Sequence, residues 1–292
     1  MSDEIEANLR LHVDRLAGLI GPRTLDRPKS IKATTGYIAG QWNAMEYDVQ
    51  QQHYDAMGTP ATNLFVQKNG TKRSDEIVLL GAHYDTVAGT PGADDNASAV
   101  AVMIEVSRLL RQHTGKRTAR YVAFTCEEKP YGDFDAMGSQ HHARQAKQQG
   151  EKIIGMLCLE MVGYFRDEIG SQKVPPSIPR PLHRLFPKRG NFLAAVANPA
   201  SWKLNWQFRR GFKCGTKMPL FSIVLPEKVS EIRRSDNSSF WDHGFAALML
   251  TDTSFLRNSN YHQASDTPET LDYKRMSEVT RGVAAAMTRL LR

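Results

Sequence analysis

The 292-residue chain is predicted to form a three-layer α/β/α fold, with helices on both faces of a mixed, mostly parallel central sheet. Three observations carry this expectation. Near-continuous apolar runs, of which Ile77-Val78-Leu79-Leu80 is the clearest, are what a strand buried on both faces requires. These runs alternate with segments of helical spacing, the pattern of βα units wound about a parallel sheet. Several runs give out directly into acidic or imidazole residues, and in such sheets ligands gather beyond the carboxyl ends of the strands.

In chain order, Ile5, Leu9, Val13, Leu16 and Ile20 recur at helical spacing, and Ile31, Ile38, Trp42 and Met45 mark a second helix after Pro28. Strands are expected at Tyr47 to Gln51, Leu64 to Gln67 and Ile77 to Ala82. A helix begins at Asp95 or a neighbour and runs through Val100, Ile104 and Leu109. Buried strands follow at Tyr121 to Thr125, Met156 to Leu159, Phe192 to Ala197 and Phe245 to Leu250. Thr267-Pro268-Glu269 is a start signal for a last helix that reaches the C-terminus. Residues 167–190, rich in Pro and basic side chains, read as a surface excursion near the site. No Pro/Gly/Ser-rich linker divides the chain, so residues 1–292 are expected to form a single domain.

The formal net charge of +7 fits solubility. No basic run is placed among aromatics in the way a nucleic-acid groove requires, so no nucleic-acid partner is expected. The N-terminus is acidic and lacks an apolar signal core, and no apolar stretch is long enough to cross a bilayer. A cytoplasmic protein without a membrane partner is the expectation; oligomeric state is not indicated. Cys126, Cys158 and Cys214 form no close pair, which argues against a disulfide framework, and Cys126 and Cys158 are expected to fill strand positions as small hydrophobes.

The chemistry lies in the residues that end the strands. His83 and Asp85 follow one, Glu127 and Glu128 another, Glu160 a third, and His262 lies in the loop beyond the Phe245 strand. Each has an ordinary structural explanation: a hydrogen-bonded loop pair for His83 and Asp85, a helix N-cap for Asp94 or Asp95, a solvated pair for the two glutamates, a surface position for His262. Adjacent carboxylates nevertheless repel unless a cation or shared proton offsets them, and Glu160 after Met156-Leu157-Cys158-Leu159 is a carboxylate in an apolar setting that needs a partner. Taken together, two imidazoles and several carboxylates converging on one sheet edge have the donor chemistry of a metal site.

From about residue 60 to the end, these segments resemble peptidase family M28, the co-catalytic zinc aminopeptidases and their relatives. The likeness is carried in order by Leu79-Leu80-Gly81-Ala82-His83-Tyr84-Asp85, Pro91-Gly92-Ala93-Asp94-Asp95-Asn96-Ala97-Ser98, Ala123-Phe124-Thr125-Cys126-Glu127-Glu128, Leu159-Glu160, Ser235-Asp236-Asn237 and Tyr261-His262. The resemblance implies the zinc exopeptidase (phosphorylase/hydrolase-like) fold and two Zn²⁺ ions, with Co²⁺ or Mn²⁺ as possible substitutes. By that resemblance Asp95 bridges the ions, His83 and Glu160 complete one site, and Glu128 and His262 the other. Asp85 then orients His83, and Glu127, left unligated, serves as general base in hydrolysing peptides with a free N-terminal residue. The resemblance also implies a cis peptide bond after Asp95.

Glu160 stands where aminopeptidases of this kind usually carry Asp, which keeps a carboxypeptidase or amidohydrolase in play. A glutaminyl-cyclase-like acyltransferase with one zinc, and a non-catalytic interaction module, also fit a chain of this kind. The stretch Lys129 to Asp135 is expected to form a loop over the mouth of the site, with Tyr131 and Phe134 lining a substrate pocket or packing structurally. Asp236 is expected to support the pocket or cap a helix. Arg233 and Arg234 are either receptors for a substrate carboxylate or solvated loop arginines. Asp266 is expected to shape the turn presenting His262, and His141 and His142 to lie exposed on a helix after Ser139.

Overall fold

The computed structural model describes residues 2–133 and 135–292. Eight strands form one sheet: β1 (Gln50–Ala56), β2 (Thr59–Lys68), β3 (Arg73–His83), β4 (Arg117–Phe124), β5 (Lys152–Glu160), β6 (Leu193–Ala197), β7 (Leu220–Val224) and β8 (Ala247–Thr251). Their order is β1-β2-β4-β3-β5-β8-β6-β7. The central strands β4, β3, β5 and β8 run parallel, and the hairpin β1/β2 adds to β4 antiparallel. Across the sheet, β6 pairs antiparallel with β8 and parallel with β7. The mixed, mostly parallel sheet expected from the apolar runs is therefore present.

Side chains alternate between the two faces of each strand, and the core divides accordingly. Val78 and Leu80 of β3, Leu157 and Leu159 of β5, and Leu248 and Leu250 of β8 enter one apolar layer. That layer also contains residues of α1 (Ser2–Val13), α2 (Pro28–Ala44), α3 (Ala99–Leu110), α5 (Trp202–Gly215) and α7 (Tyr273–Leu290). Their neighbours Ile77, Leu79, Met156, Cys158, Ala247 and Met249 enter the opposite layer, against α4 (Gly138–Gln148) and α6 (Asn237–Asp242). Each fully buried Leu or Ile contributes roughly 1.5–3 kcal/mol, so a one-residue slip of β3 would exchange the two layers and is strongly opposed.

Several expectations need correction. The strand expected from Tyr47 begins at Gln50, because Tyr47 turns into the core and its hydroxyl donates to the Ser107 carbonyl at 3.0 Å. Regular helix begins at Ala99, not Asp95: Asp95 (φ −106°, ψ 88°) and Asn96 (φ −133°, ψ 33°) form a kink ahead of it, and neither Asp94 nor Asp95 caps a helix. Pro268–Thr270 is a short 3₁₀ turn, and α7 starts at Tyr273 with Asp272 accepting from the Arg275 N–H at 2.9 Å. Cys158 does fill a strand position, but Cys126 lies beyond β4 with φ 63°. Strand β7 and helix α5 have no counterpart among the expected elements. Helix α5 does interleave Trp202, Trp206, Phe208 and Phe212 with Lys203, Arg209, Arg210 and Lys213, yet Trp202 and Trp206 stand out on its exposed side rather than in a groove. Among the described residues, no helix is long and apolar enough to cross a membrane.

Candidate metal centre

The parallel strands deliver the polar residues to one edge. β3 ends at His83, β5 ends at Glu160, and β4 ends two residues before Cys126, which precedes Glu127 and Glu128. Just beyond β4 and β5 a non-glycine residue takes a positive φ, Cys126 (63°) and Met161 (50°), and so does His262 (60°) in the loop that follows β8. Such conformations are costly and persist where surrounding contacts over-determine them. The Asp95–Asn96 peptide bond is cis, as the resemblance implied.

Those surrounding contacts are identifiable. Asn96 ties the Asp95 kink to the end of β5, its Nδ2 donating to the Leu159 carbonyl at 3.1 Å and its Oδ1 accepting from the Met161 N–H at 2.9 Å. Asp266 accepts the N–H groups of Asp94 and Asp95 at 2.9 and 3.1 Å, so beyond shaping its own turn it holds the chain at Asp95. Arg23, fully buried, donates to the carbonyls of Tyr84, Leu16, Gly21, Pro91 and Gly92 at 2.7–3.0 Å. Gly92 is required in this arrangement: its φ is 64°, and a Cβ there would come within 2.3 Å of the Asp95 carbonyl oxygen and 2.9 Å of Arg23 Nη2.

Two donor groups result. His83, Asp95 and Glu160 form one and Asp95, Glu128 and His262 the other, each with ligand atoms within 4.8 Å of one another. His83 Nε2 lies 3.5 Å from Asp95 Oδ1 and 3.3 Å from Glu160 Oε2. His262 Nε2 lies 3.1 Å from Asp95 Oδ2 and 3.4 Å from Glu128 Oε1. Asp95 thus turns one oxygen to each group. Glu127 belongs to neither, its Oε2 standing 3.9 Å from His83 Nε2.

Asp85 lies behind these groups. His83 Nδ1 is 3.2 Å from the Asp85 backbone carbonyl and 3.5 Å from its Oδ1. The carboxylate of Asp85 accepts the backbone N–H groups of Glu127 and Glu128 at 3.3 and 3.1 Å. Its carbonyl is therefore the nearer partner of the imidazole, and its side chain positions the two glutamates.

The electrostatics are those of carboxylates crowded out of water. Burial pushes Glu127 well above the usual carboxylate range, reinforced by Glu160, Glu128 and Asp236, although His83 opposes it. Burial and Asp95 raise Glu128 to about 7. Burial would lower His83, but Glu160 and Glu127 hold it well above the usual histidine value. His262 rises to about 9, Asp95 and Glu128 outweighing its burial. Burial would raise Asp95, yet His262 and His83 bring it below its usual value.

The residues fit a divalent cation. His83 Nε2 and Asp95 Oδ1 are buried and have no hydrogen-bond partner, and buried polar atoms without partners are costly. Nitrogen and carboxylate oxygen are zinc donors, and a cation between these atoms would satisfy both.

The remaining sequence candidates divide. Asp236 is fully buried near the site, neither oxygen having a hydrogen-bond partner, and burial raises it to about 7. Tyr131 does not line the cavity beside Glu160; it packs against the small cluster of Ala56, Ala61, Cys126 and Ala136. Phe134 lies outside the described residues. Arg233 is not a free receptor, because Glu227 and Asp242 both engage it. His142 is buried rather than exposed, its ring edge-on to Phe65 and Phe124 at 5.6 and 5.8 Å. Half-buried His141 stacks on Tyr54, and neither histidine belongs to the donor groups.

Sequence reasoning missed Arg23, Asn96 as a link to β5, and Ser235 as a direct donor to Glu160. It also missed Asp252, which accepts from Tyr164 N–H at 2.8 Å, and Asn258, which donates to Asp94 at 2.7 Å. An apolar cavity of about 100 Å³ adjoins Glu160. Its walls include Phe186, Phe192, Phe221, Ile223, Leu225 and Met249, with Arg234 and Tyr261 also among the lining residues.

Fold, donor groups and comparison agree on the class. Residues 63–287 match the model of peptidase family M28, and the chain belongs to that family, whose class is the zinc-dependent peptidases. It is 32% identical over 276 residues to the protein YfbL of Escherichia coli K12, covering 92% of this chain and 83% of that one. Named zinc metalloprotease and aminopeptidase relatives align over much less of their own length, 26% and 21% in two cases. The zinc aminopeptidase BSAP of Bacillus subtilis superposes with a TM-score of 0.75 at 15% identity, over 98% of this chain and 95% of that one. A glutaminyl cyclase of Bacteroides thetaiotaomicron, bound to N-acetylhistamine, superposes at 0.71 and 18% identity, over 97% of both chains.

Proposed function

We propose that this chain is a di-zinc exopeptidase that removes N-terminal residues from unblocked peptides. The observation that carries the reading is the pair of donor groups sharing Asp95, with Glu127 beside His83 of the first and part of neither. His83 and Glu160 would hold one ion, Glu128 and His262 the other, and Asp95 both. When bound, zinc supplies Lewis acidity to the scissile carbonyl and lowers the pKa of water beside it.

The protein's own groups do the rest. Glu127, whose burial gives it a raised proton affinity, takes a proton from the attacking water on its carboxylate and returns it to the leaving amine. The water oxygen first bonds to the carbonyl carbon, the C–N bond then breaks as the amine receives the proton, and the carboxylate of Glu127 ends as it began. Asp85 fixes where Glu127 acts by accepting its backbone N–H and that of Glu128. The free α-amine of the substrate is a cation and is favoured beside so many carboxylates, while the apolar walls next to Glu160 suit the hydrocarbon part of the residue that enters the cavity.

Mass spectrometry of a peptide library incubated with zinc-loaded protein tests the reading. Stepwise loss of N-terminal residues is expected, with Glu127→Gln reducing the rate by about 10²–10⁴ while retaining zinc. Loss of C-terminal residues would reverse the direction, and conversion of N-terminal glutamine to pyroglutamate by a protein holding one zinc would make it a cyclase.

A further inference from the structure

We propose that Arg234 forms an anion subsite at the cavity beside Glu160 and selects substrates that carry a carboxylate. This rests on the exopeptidase reading and adds a class of substrate to it. Adjacent arginines meet opposite fates here. Arg233 is taken up by Glu227 and Asp242. Arg234 has no carboxylate partner among the described residues; its one hydrogen bond is from Nη2 to the Tyr261 hydroxyl, at 3.2 Å. Its guanidinium also lies over the Phe255 ring, 4.9 Å from the centroid. The group is thus oriented by two contacts, while the residue remains exposed and its other N–H groups remain available.

The position matters as much as the charge. Arg234 lines the same cavity as Glu160, and Glu127 and Glu160 are close enough to act on it electrostatically. The Tyr261 ring stacks on His262 with centroids 3.6 Å apart, so one hydrogen bond and one ring contact connect Arg234 to the second donor group. Once zinc compensates the site's carboxylates, Arg234 is a cation at the cavity that no carboxylate contacts among the described residues. Glu231 also lines the cavity but is engaged by Ser177, and Lys173, exposed among the lining residues, adds positive potential. A planar guanidinium held in place matches a carboxylate with two parallel N–H···O bonds. The partner is therefore a carboxylate on the substrate: either an acidic side chain on the residue entering the cavity or the free C-terminus of a short peptide.

Two matched pairs separate these sources: Leu-Leu against Leu-Leu-amide for the C-terminus, and Glu-Leu-amide against Gln-Leu-amide for the side chain. The zinc-loaded protein is expected to prefer the carboxylate member of one pair by about tenfold or more in kcat/KM, mainly through KM. Arg234→Gln is expected to abolish that preference while leaving neutral members within about twofold. Equal values within both pairs, or a preference that survives Arg234→Gln, would overturn the subsite. If no peptide is cleaved, the exopeptidase reading fails separately, and calorimetric titration with N-acetylleucine and N-acetylleucinamide still decides the subsite. Carboxylate-specific binding lost in Arg234→Gln supports it; equal binding of both compounds, or no change on substitution, overturns it.

Discussion

The Ser235 hydroxyl donates to Glu160 Oε2 at 2.7 Å, and that same oxygen lies 3.3 Å from His83 Nε2. Cys158 Sγ is 3.3 Å from the same hydroxyl. A glutamate has one more rotatable bond than an aspartate, so fixing its carboxylate costs more conformational entropy, and Ser235 supplies a fixed contact. Groups that orient ligands in this way typically matter by about 10–100-fold in metal affinity. Ser235→Ala is expected to weaken zinc binding by about that factor, with partial recovery in Ser235→Thr, measured by chelator competition. Unchanged affinity would show that Glu160 is oriented without the serine.

Arg23 is the structural counterpart on the other side of the site. Burial lowers its pKa to about 10, but it remains a cation at neutral pH and donates to five carbonyls, tying Tyr84, Pro91 and Gly92 to Leu16 and Gly21. Replacement by Met leaves the Leu16 and Gly92 carbonyls with their backbone donors Gly21 and Ala97 but removes the donor to Tyr84, Gly21 and Pro91, each a loss of about 1–3 kcal/mol if none relaxes. A net destabilisation of about 3 kcal/mol or more in urea unfolding is expected. A change below about 1 kcal/mol would mean that the loop finds other donors.

Asp266→Asn tests whether the chain at Asp95 is held by acceptance alone. One amide oxygen can still accept, but the NH₂ group would face a backbone N–H, leaving one buried donor unpaired at about 1–3 kcal/mol. Lower stability and weaker zinc binding are expected together. Loss of stability with zinc affinity intact would separate Asp266 from the metal centre.

Zinc stabilisation should depend on pH in a definite direction. In the metal-free protein Glu128 is raised to about 7 and His262 to about 9. A folded-state pKa above the unfolded one stabilises the fold at low pH, and that stability is lost as pH rises through the folded value. The metal-free fold therefore weakens from about pH 4.5 to 9 on account of these two groups. Zinc binds their deprotonated forms. Asp95, lowered, acts in the opposite sense only below about pH 4. The difference in Tm between zinc-loaded and chelated protein is expected to widen from about pH 5 to about pH 8; a constant or narrowing difference would contradict the shifts.

The residues at the strand ends were legible in the sequence because each follows a run too apolar to be anything but buried, which places its carboxylate or imidazole at a sheet edge. Helix α5 was not, although Leu204, Phe208 and Phe212 stand at helical spacing, because exposed Trp202 and Trp206 blur the apolar face. Strand β7 is an edge strand without a fully buried residue, so its pattern is weak. His142 reads as polar but fills an aromatic pocket. Arg23 leaves no signature at all, since its acceptors are backbone carbonyls, which every residue has. Asp94 and Asp95 resemble helix caps until the kink shows their side chains turned to other work.

Zinc content per chain, measured by inductively coupled plasma mass spectrometry on wild-type, Glu127→Gln and Asp95→Asn proteins, tests most directly whether two sites share Asp95 and exclude Glu127. Two equivalents in the first two proteins and loss from both sites in the third are expected. A single equivalent in the wild type, or zinc lost on replacing Glu127 but kept on replacing Asp95, would contradict it.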